Sequence, residues 1–344
     1  MRVRTGIMVT VTEDRCNEKF VRRLNEAGAG SVRINSAHTD EESLRKIIRA
    51  IRQYAPEMKI LMDTKGPEIR TTALKDGYEA IKLGKGDRVI ICFGSECFIK
   101  EDKEVQIGLN VDPGQLGIKA GDKISIDDGA MELTVTGTDA KETACTVERG
   151  GTLGSRKTVS IPSANTNALP AVSERDKRNI LTAVEEKIDM IAHSFVRTRE
   201  DVESVKKLIE GSGIEVYAKI ECRDALSHLE EIADASDGIL IARGDLGSQV
   251  DFTLIPAIQH HISKICRKKR KPMILATQMM QTMIENPLPT RAEIQDITTA
   301  VWEGINTLLL TGETAQGRYP TECVEIMRRT IENAEKYLNS GRYD

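Results

Sequence analysis

Polar and charged side chains follow short apolar segments at several places along this sequence. They are Arg33 and Asn35, Asp63 and Lys65, Ser194 with Arg197, Lys219 and Glu221, Arg243 with Asp245, Thr277, and Thr311 with Glu313. A single charged residue at the end of a strand is usually exposed to water and has no functional role. Seven such ends within one chain are harder to explain by solvation and predict a shared site.

The pair Lys219 and Glu221 is the most informative of these. Residues two apart on a strand point to the same side, so the ammonium group and the carboxylate are predicted to be neighbours. A lysine beside a carboxylate suits neutralisation of a phosphate next to a metal. With Asp245 as a second carboxylate, and with substrate and water oxygens, the set resembles the sparse oxygen ligation that Mg²⁺ or Mn²⁺ prefers. The glycine-rich turn at 242–247 either opens a short helix that accepts an anion or is a plain loop.

Eight apolar segments rich in β-branched residues are predicted as strands. They are Thr5–Val11, Ser31–Asn35, Lys59–Thr64, Asp189–Phe195, Glu215–Ile220, Gly238–Arg243, Pro272–Thr277 and Ile305–Thr311. Helical periodicity lies between most of them, in Glu41–Tyr54, Glu174–Glu186, Arg199–Glu210, Asp224–Ala233, Leu254–Arg267 and Arg291–Trp302. This alternation predicts an α/β protein, a (β/α)8 TIM barrel whose active site lies at the C-terminal ends of the strands.

One stretch, from about Thr72 to Ser163, breaks this pattern. It has short alternating segments separated by Gly and Asp, as in Lys123–Gly129 and Met131–Val135. We therefore predict an all-β, barrel-like lid domain inserted after strand 3. The predicted bounds are 1–71 for the first part of the barrel, 72–163 for the insertion and 164–344 for the second part.

Composition narrows the possible partners. The 344 residues carry a net charge of −4, and only 3% are aromatic. Neither nucleic acid nor an anionic membrane is favoured as a partner, and no apolar segment reaches the length of a membrane span. The seven cysteines are scattered without a C-x-x-C pair, which is typical of reduced thiols in the cytoplasm. We expect a cytoplasmic protein.

Several longer motifs resemble those of the pyruvate kinase family, and they occur in the family's order over nearly the whole chain. The longest is Met62-Asp-Thr-Lys-Gly-Pro-Glu-Ile-Arg-Thr71. The others are Asp127-Asp-Gly129, Leu169–Glu174, Lys219-Ile-Glu221, Ala242–Gly247, Ala276–Met279, Pro289–Glu293 and Gly312–Ala315. The resemblance implies a glycolytic phosphotransferase that moves phosphate from phosphoenolpyruvate to ADP, giving pyruvate and ATP. The family's C-terminal domain is expected to be absent, and a homo-oligomer such as a dimer is expected.

The resemblance also implies roles for individual residues. Lys219 would contact the transferring phosphoryl group, and Thr277 would relay the proton of the enolate. Glu221 and Asp245 would hold Mg²⁺ or Mn²⁺, and the backbone of Ala242, Arg243, Gly244 and Asp245 would bind the substrate carboxylate. Positive charge for phosphates would come from Arg33, which is also counted as catalytic, and from Lys65, Arg70 and Lys157, with His38 near the nucleotide. A K⁺ site would use Asn35, Asp63 and Thr64.

The departures from the family pattern lie mostly on the nucleotide side. Val9-Thr-Val-Thr-Glu-Asp-Arg15 stands where the family has a Gly-Pro-Ala-Ser turn near the adenine. Ala37 replaces a serine of the K⁺ site and cannot donate an oxygen, although Glu68 is the residue type that accompanies K⁺ dependence. Thr158 replaces a glycine after the basic pair. These changes leave two alternatives open: a metal-dependent lyase or decarboxylase that forms a pyruvate enolate without nucleotide, or a catalytically silent binding or regulatory protein.

Other conspicuous residues have simpler interpretations. The basic run Lys268–Lys271 is predicted to be a solvated helix end. The adjacent His260 and His261 point apart on a helix and are predicted to lie at the surface. Cys222, next to Glu221, is predicted to be a packing residue.

Overall fold

The computed structural model describes residues 5–100, 104–127, 129–139 and 142–340, without the side chains of His38 and Asn167. The chain forms two compact units. The first comprises residues 1–66, 171–244 and 254–344, and the second comprises 67–170 and 245–253. The predicted bounds of 1–71 and 164–344 for the barrel and 72–163 for the insertion stay a prediction.

Eight parallel strands close into a barrel in the first unit. In chain order they are β1 (Gly6–Thr10), β2 (Ser31–Asn35), β3 (Lys59–Asp63), β4 (Met190–His193), β5 (Glu215–Ile220), β6 (Gly238–Ala242), β7 (Met273–Ala276) and β8 (Thr307–Leu310). Each strand pairs with its neighbours in sequence order, and β8 pairs with β1. The predicted TIM barrel is confirmed.

The α-helices follow the barrel strands along the chain, and the long ones of the first unit pack on the outer faces of those strands. They are Glu18–Ala27, Glu41–Tyr54, Glu174–Glu185, Arg199–Leu208, Arg223–Ser227, Leu229–Ala235, Arg243–Gln249, Ile255–Lys269, Arg291–Trp302, Gly312–Ala315 and Pro320–Ser340. Short 3-10 helices occur at Glu13–Arg15, Ser36–His38, Pro113–Leu116, Thr166–Ala168, Phe252–Leu254 and Gln281–Ile284. Within the described ranges, no helix combines the length and the apolar character needed to cross a bilayer.

Capping residues fix where the helices begin. Asp40 accepts a hydrogen bond from the backbone N–H of Ser43 and starts the helix Glu41–Tyr54. Thr290 and Glu293 form a capping box that starts the helix Arg291–Trp302. These two helices begin and end where the sequence predicts.

Two apolar layers hold the barrel together. Small and medium side chains fill its interior, among them Met8, Leu61, Ala192, Leu240 and Leu309. The outward faces of the strands pack against the helices in a larger cluster that is almost entirely aliphatic. With so few aromatic residues, the core depends on Ile, Leu, Val and Met to fill its volume.

The second unit contains the β-rich stretch that interrupts the barrel after β3. A seven-stranded sheet has the order Val159–Ser160, Lys123–Ile126, Met131–Thr138, Glu142–Arg149, Arg88–Phe93, Val105–Leu109 and Phe98–Ile99. A two-stranded sheet pairs Gly151–Leu153 with Ile81–Leu83. The unit has its own buried aliphatic cluster. The predicted all-β insertion is confirmed as a fold class.

Three details differ from the sequence-based expectation. The strand predicted as Asp189–Phe195 is shorter, because Phe195 has a left-handed φ of 52° and ends the extended backbone. The helix predicted as Asp224–Ala233 is divided in two at His228, whose ring bonds back to the carbonyl of Asp224. The helix expected after strand 8 is Pro320–Ser340, with buried residues such as Val324 and Met327, and its bounds were not predicted.

Replacing Gly108 by Ala should destabilise the protein by about 2–3 kcal/mol, as expected for overpacking. A Cβ atom at Gly108, in the strand Val105–Leu109, would overlap the carbonyl oxygen of Ser95. Gly137 is the matched control, since nothing lies within 4 Å of a Cβ added there. Urea unfolding of both variants would check this, and equal stabilities for Gly108→Ala and Gly137→Ala would contradict it.

Candidate functional site at the C-terminal ends of the barrel strands

The ammonium group of Lys219 is surrounded by oxygen-bearing side chains. Its Nζ atom lies 2.9 Å from Asp63 Oδ1 and 2.7 Å from Glu221 Oε1. It also donates a hydrogen bond of 2.8 Å to Ser194 Oγ. We call Lys219, Asp63, Glu221 and Ser194 the lysine cluster. Lys219 is only 8% exposed and Glu221 is fully buried, so water screens these charges weakly.

The strand order explains why these four residues meet. Asp63 is the last residue of β3, Ser194 follows β4, and Lys219 and Glu221 lie at the end of β5. These are three neighbouring strands, and parallel strands bring their C-terminal ends to one edge. The turn after β4 adds a further contact, because the backbone N–H of Phe195 donates to Glu221 Oε2 at 2.8 Å.

Arg33 extends the lysine cluster toward β2. Its guanidinium group forms an ion pair of 2.7 Å with Asp63 Oδ2, and the carboxylate is buried. Burial acts to raise the pKa of Asp63, but the nearby Lys219 and Arg33 cations outweigh it and lower the pKa. Asp63 is therefore ionised, and two carboxylates and two cations balance one another in this region.

The end of β7 has an unusual backbone. Thr277 and Gln278 have φ values of 71° and 55°, in the left-handed region that a β-branched residue such as threonine rarely adopts. The Thr277 hydroxyl donates to the Ala276 carbonyl at 2.6 Å and accepts from the Gly244 N–H at 2.8 Å. The side chain of Thr277 is thus held in one orientation at the barrel rim, at a cost in backbone strain.

Arg243 supports the same turn. Its guanidinium group donates to the Thr277 carbonyl at 2.8 Å and forms an ion pair of 2.7 Å with Asp296. These bonds occupy the Arg243 side chain and fix the turn that carries Thr277.

Glu313 and Thr314 tie the ends of the last strands together. The buried Glu313 carboxylate accepts from the backbone N–H groups of Met280 at 3.0 Å and Thr311 at 2.8 Å. Thr314 exchanges hydrogen bonds with the backbone of Thr10. Glu313 therefore serves the rim as a structural anchor.

His193 lies at the end of β4, fully buried behind the lysine cluster. Its Nδ1 atom is 3.2 Å from Thr64 Oγ1, and its Nε2 atom has no hydrogen-bond partner among the described residues. Burial lowers the pKa of His193 to about 4, although Asp201 and Asp176 act in the opposite direction. The ring is therefore neutral at physiological pH.

The remaining predicted residues of the first unit have defined surroundings. Asn35 Oδ1 accepts from the Ala37 N–H at 3.2 Å. The backbone N–H of Lys65 donates to Asp176 Oδ1 at 2.9 Å, which fixes the turn after β3. His38 is the last residue of a 3-10 helix, and its side chain lies outside the described part of the structure.

Three predicted residues belong to the second unit. Arg70 forms an ion pair of 2.7 Å with Glu68, and Lys157 forms one of 2.9 Å with Asp127. Asp245 lies in the first turn of the helix Arg243–Gln249, so the glycine-rich turn opens a helix and is not a plain loop. The roles of these three residues stay predictions.

Some conspicuous residues have structural roles. Arg197 is buried in an ion pair of 2.9 Å with Asp201. The Cys222 thiol is buried, which raises its pKa to about 12 and makes it a poor nucleophile. Lys269 pairs with Asp234, and His260 pairs with Glu303 at the surface.

A cavity of about 700 Å³ opens at the ends of β1, β2 and β8. Its lining residues are Thr10, Val11, Thr12, Glu13, Asp14, Arg33, Asn35, Thr39, Thr311, Gly312, Ala315 and Gln316. We call it the rim cavity. Arg33 belongs both to its wall and to the ion pair with Asp63, so the rim cavity adjoins the lysine cluster.

Sequence reasoning found Lys219 and Glu221 but missed part of their surroundings. Asp63 was predicted only as a K⁺ ligand, whereas it is the counter-ion of both Lys219 and Arg33. Ser194 was noted only as a polar strand end. Both residues lie at the ends of neighbouring strands, and this position was visible in the sequence. Their contacts with Lys219 could not be predicted, because the strand register was unknown.

The fold and the site define a TIM-barrel protein with a charged rim, and comparison with known proteins identifies its family. Residues 2–324 match the family described as pyruvate kinase, barrel domain. A pyruvate kinase from Borreliella burgdorferi is 37% identical over 98% of this chain and 70% of its own length. One from Geobacillus stearothermophilus is 37% identical over 98% of this chain and 58% of its own length. One from Clostridium acetobutylicum is 34% identical, over 99% of this chain and 72% of its own length.

This chain belongs to the pyruvate kinase family, as its motifs predicted. It spans between 57% and 72% of the length of these and several other curated relatives.

The neutral state of His193 predicts a loss of stability in acid. Its pKa is about 4 in the folded chain and near its ordinary value of 6.5 in the unfolded one. Between these values the unfolded chain binds a proton that the folded chain does not, so stability falls as pH falls from 6.5 to 4, by up to about 3 kcal/mol.

Chemical unfolding across this pH range would test the effect in three proteins. His193→Gln should lose part of the pH dependence, while His261→Gln, at an exposed position, should keep all of it. Identical pH profiles for the parent and His193→Gln would show that another group titrates.

Proposed function

We propose that this protein is a phosphotransferase that moves the phosphoryl group of phosphoenolpyruvate to a nucleoside diphosphate, giving pyruvate. The observation that carries the proposal is Lys219, held at the barrel rim between two buried carboxylates and next to Arg33 through their shared partner Asp63. Phosphoryl transfer demands mainly positioning and neutralisation of charge, which fixed cations provide. Membership in the pyruvate kinase family supports the same reaction.

In this proposal Lys219 and Arg33 attract the phosphoryl group. Both cations are already held by carboxylates, so little reorganisation is needed when the substrate arrives. Lys65, Arg70, Lys157 and His38 keep their predicted roles at the phosphates and the nucleotide as part of this proposal.

Thr277 is the proposed proton relay for the enolate. Its hydroxyl group is fixed by the Ala276 carbonyl and the Gly244 N–H, so it has a defined direction. The Arg243 side chain is bound to the Thr277 carbonyl and Asp296, and the Gly244 N–H is bound to the Thr277 hydroxyl. The substrate carboxylate is proposed to bind the remaining backbone of residues 242–245.

Glu221 fits the requirements of a divalent metal ligand. Its carboxylate is fully buried at a strand end, where Oε2 accepts from the Phe195 N–H and Oε1 pairs with Lys219, an ion pair that a bound cation would share. The described residues contain no group of three or more His, Cys, Asp and Glu side chains that could hold a metal. Mg²⁺ often takes only one or two carboxylates and completes its shell with substrate and water, so this is compatible with binding. We propose Glu221 and Asp245 as ligands of Mg²⁺ or Mn²⁺, which would polarise substrate oxygens when bound.

The predicted K⁺ ligands fit that ion poorly. The Asp63 carboxylate is bound to Lys219 and Arg33, and the Thr64 carbonyl lies 2.6 Å from Ser194 Oγ. Asn35 Oδ1 is used by the Ala37 N–H. Ala37 adds no oxygen where the family has a serine, so the predicted set is one ligand short and we derive no step through K⁺.

Replacing Lys219 by Gln should lower phosphoryl transfer by at least about a thousandfold, because a charge directed at the transferring group acts mainly in the transition state. The amide keeps some hydrogen bonding to Ser194, and circular dichroism should verify folding. The assay follows pyruvate formed from phosphoenolpyruvate with each nucleoside diphosphate, and Lys207→Gln, at an exposed position, is the control.

Uptake of solvent deuterium into the methyl group of pyruvate should be followed in parallel. Uptake with nucleotide-dependent transfer supports the kinase. Uptake without any transfer would favour a lyase or decarboxylase. If neither uptake nor transfer is observed, the binding or regulatory protein is the alternative that remains.

Glu221→Gln should weaken Mn²⁺ binding by at least about tenfold, because it removes an anionic oxygen while the amide can still accept from Phe195. Asp245→Asn should act in the same direction. Electron paramagnetic resonance of free Mn²⁺ measures the affinity, and Glu325→Gln, on an exposed face of the last helix, is the control. Unchanged affinity in both test variants would remove the metal assignment.

A further inference from the structure

The rim cavity carries charges of both signs. Of its lining residues Arg33 is the one cation, while Glu13 and Asp14 bring two carboxylates. The volume of about 700 Å³ lies within the usual range for small-molecule sites, roughly 300–1,000 Å³. A ligand with an anionic group near Arg33 and hydrogen-bond donors near the carboxylates is therefore complementary to this cavity.

The segment that bears the two carboxylates is fixed in place. Glu13 and Asp14 lie in the 3-10 helix Glu13–Arg15, directly after β1. The Arg15 guanidinium group donates to the carbonyls of Gln316 at 2.8 Å and Gly317 at 2.9 Å, beyond β8. These two hydrogen bonds connect the segment after β1 to the segment after β8 and hold the 3-10 helix beside the cavity. The two carboxylates therefore lie in an ordered part of the cavity wall.

Neither carboxylate forms a strong ion pair within the described residues. Glu13 lies 3.9 Å from Lys46, and both side chains are about half exposed, so the pair is weak. Asp14 has no ion pair within the described ranges. Both groups are available to accept hydrogen bonds from a ligand.

We infer that the phosphoryl acceptor is a guanine nucleoside diphosphate in preference to an adenine one. This inference rests on the proposed function. Guanine presents two adjacent donors, N1–H and the N2 amino group, which match the two oxygens of a carboxylate. Adenine presents one amino donor beside the N1 acceptor, whose lone pair is repelled by a carboxylate oxygen. A charged bidentate contact is strong and directional, so it discriminates between the two bases.

The proposed phosphoryl transfer breaks one P–O bond and forms another. The bond between phosphorus and the enol oxygen of phosphoenolpyruvate breaks, and a bond to a terminal oxygen of the acceptor's β-phosphate forms. The enolate left behind takes one proton and becomes pyruvate. Arg33 lies between the rim cavity and the lysine cluster, so the acceptor's phosphates would lie on the side where Lys219 is held.

The test measures kcat/KM for GDP and for ADP with phosphoenolpyruvate, in the parent protein and in Glu13→Gln, Asp14→Asn and the double variant. The parent should prefer GDP by at least about tenfold, and the double variant should bring the ratio to within about threefold. The single variants identify which carboxylate contacts the base. Glu18→Gln is the matched control, because Glu18 is exposed, pairs with Arg22 and does not line the cavity, so the ratio should not change.

Calorimetric binding of GDP and ADP to the parent protein gives a second measurement that needs no variant and no turnover. Equal use of both nucleotides, or a GDP preference that survives in the double variant, would overturn the inference. If no nucleotide is phosphorylated but GDP still binds more tightly, the proposed function fails while the selectivity of the rim cavity stands.

Discussion

The buried charge of Lys219 is the constraint on which the rest of the site depends. Removing two carboxylates and two cations from water is costly, and only their mutual attraction and additional hydrogen bonds offset that cost. Asp63 forms ion pairs with both cations, Lys219 and Arg33. Glu221 pairs with Lys219 and accepts a hydrogen bond from the Phe195 N–H. Ser194 accepts a hydrogen bond from Lys219. The ends of β2, β3, β4 and β5 must therefore keep one arrangement, or a charge is left buried without its partner.

The other half of the rim is held by neutral and backbone bonds. Thr277 keeps a left-handed φ because Gly244 binds its hydroxyl group and Arg243 binds its carbonyl. Glu313 fixes the turns after β7 and β8 through two backbone N–H groups. Strain of this kind is tolerated where the surroundings over-determine the backbone, and it commonly accompanies functional residues. Both halves of the rim thus hold their polar side chains, Lys219 in one and Thr277 in the other, in fixed orientations before a substrate binds.

Much of this arrangement could be predicted from the sequence, because strand and helix periodicity define the barrel and a spacing of two puts Lys219 beside Glu221. The partners of Asp63 could not be predicted. They depend on the register that sets Asn35 beside Asp63 and on the order of the strands around the barrel. Arg197 was misleading for a related reason: it stands at a strand end, but Asp201, four residues on, satisfies it locally. A buried histidine such as His193 also gives no sequence signal.

The departures from the family pattern have a different meaning once the rim cavity is considered. The segment after β1 is bound by Arg15 to the carbonyls beyond β8, and it lines a cavity that also contains Arg33. Where the resemblance implies a small, neutral turn, Glu13 and Asp14 change which hydrogen bonds a ligand must supply, and Arg33 still pairs with Asp63 of the lysine cluster. A change in selectivity between acceptors therefore accounts for these residues with fewer assumptions than a loss of nucleotide binding.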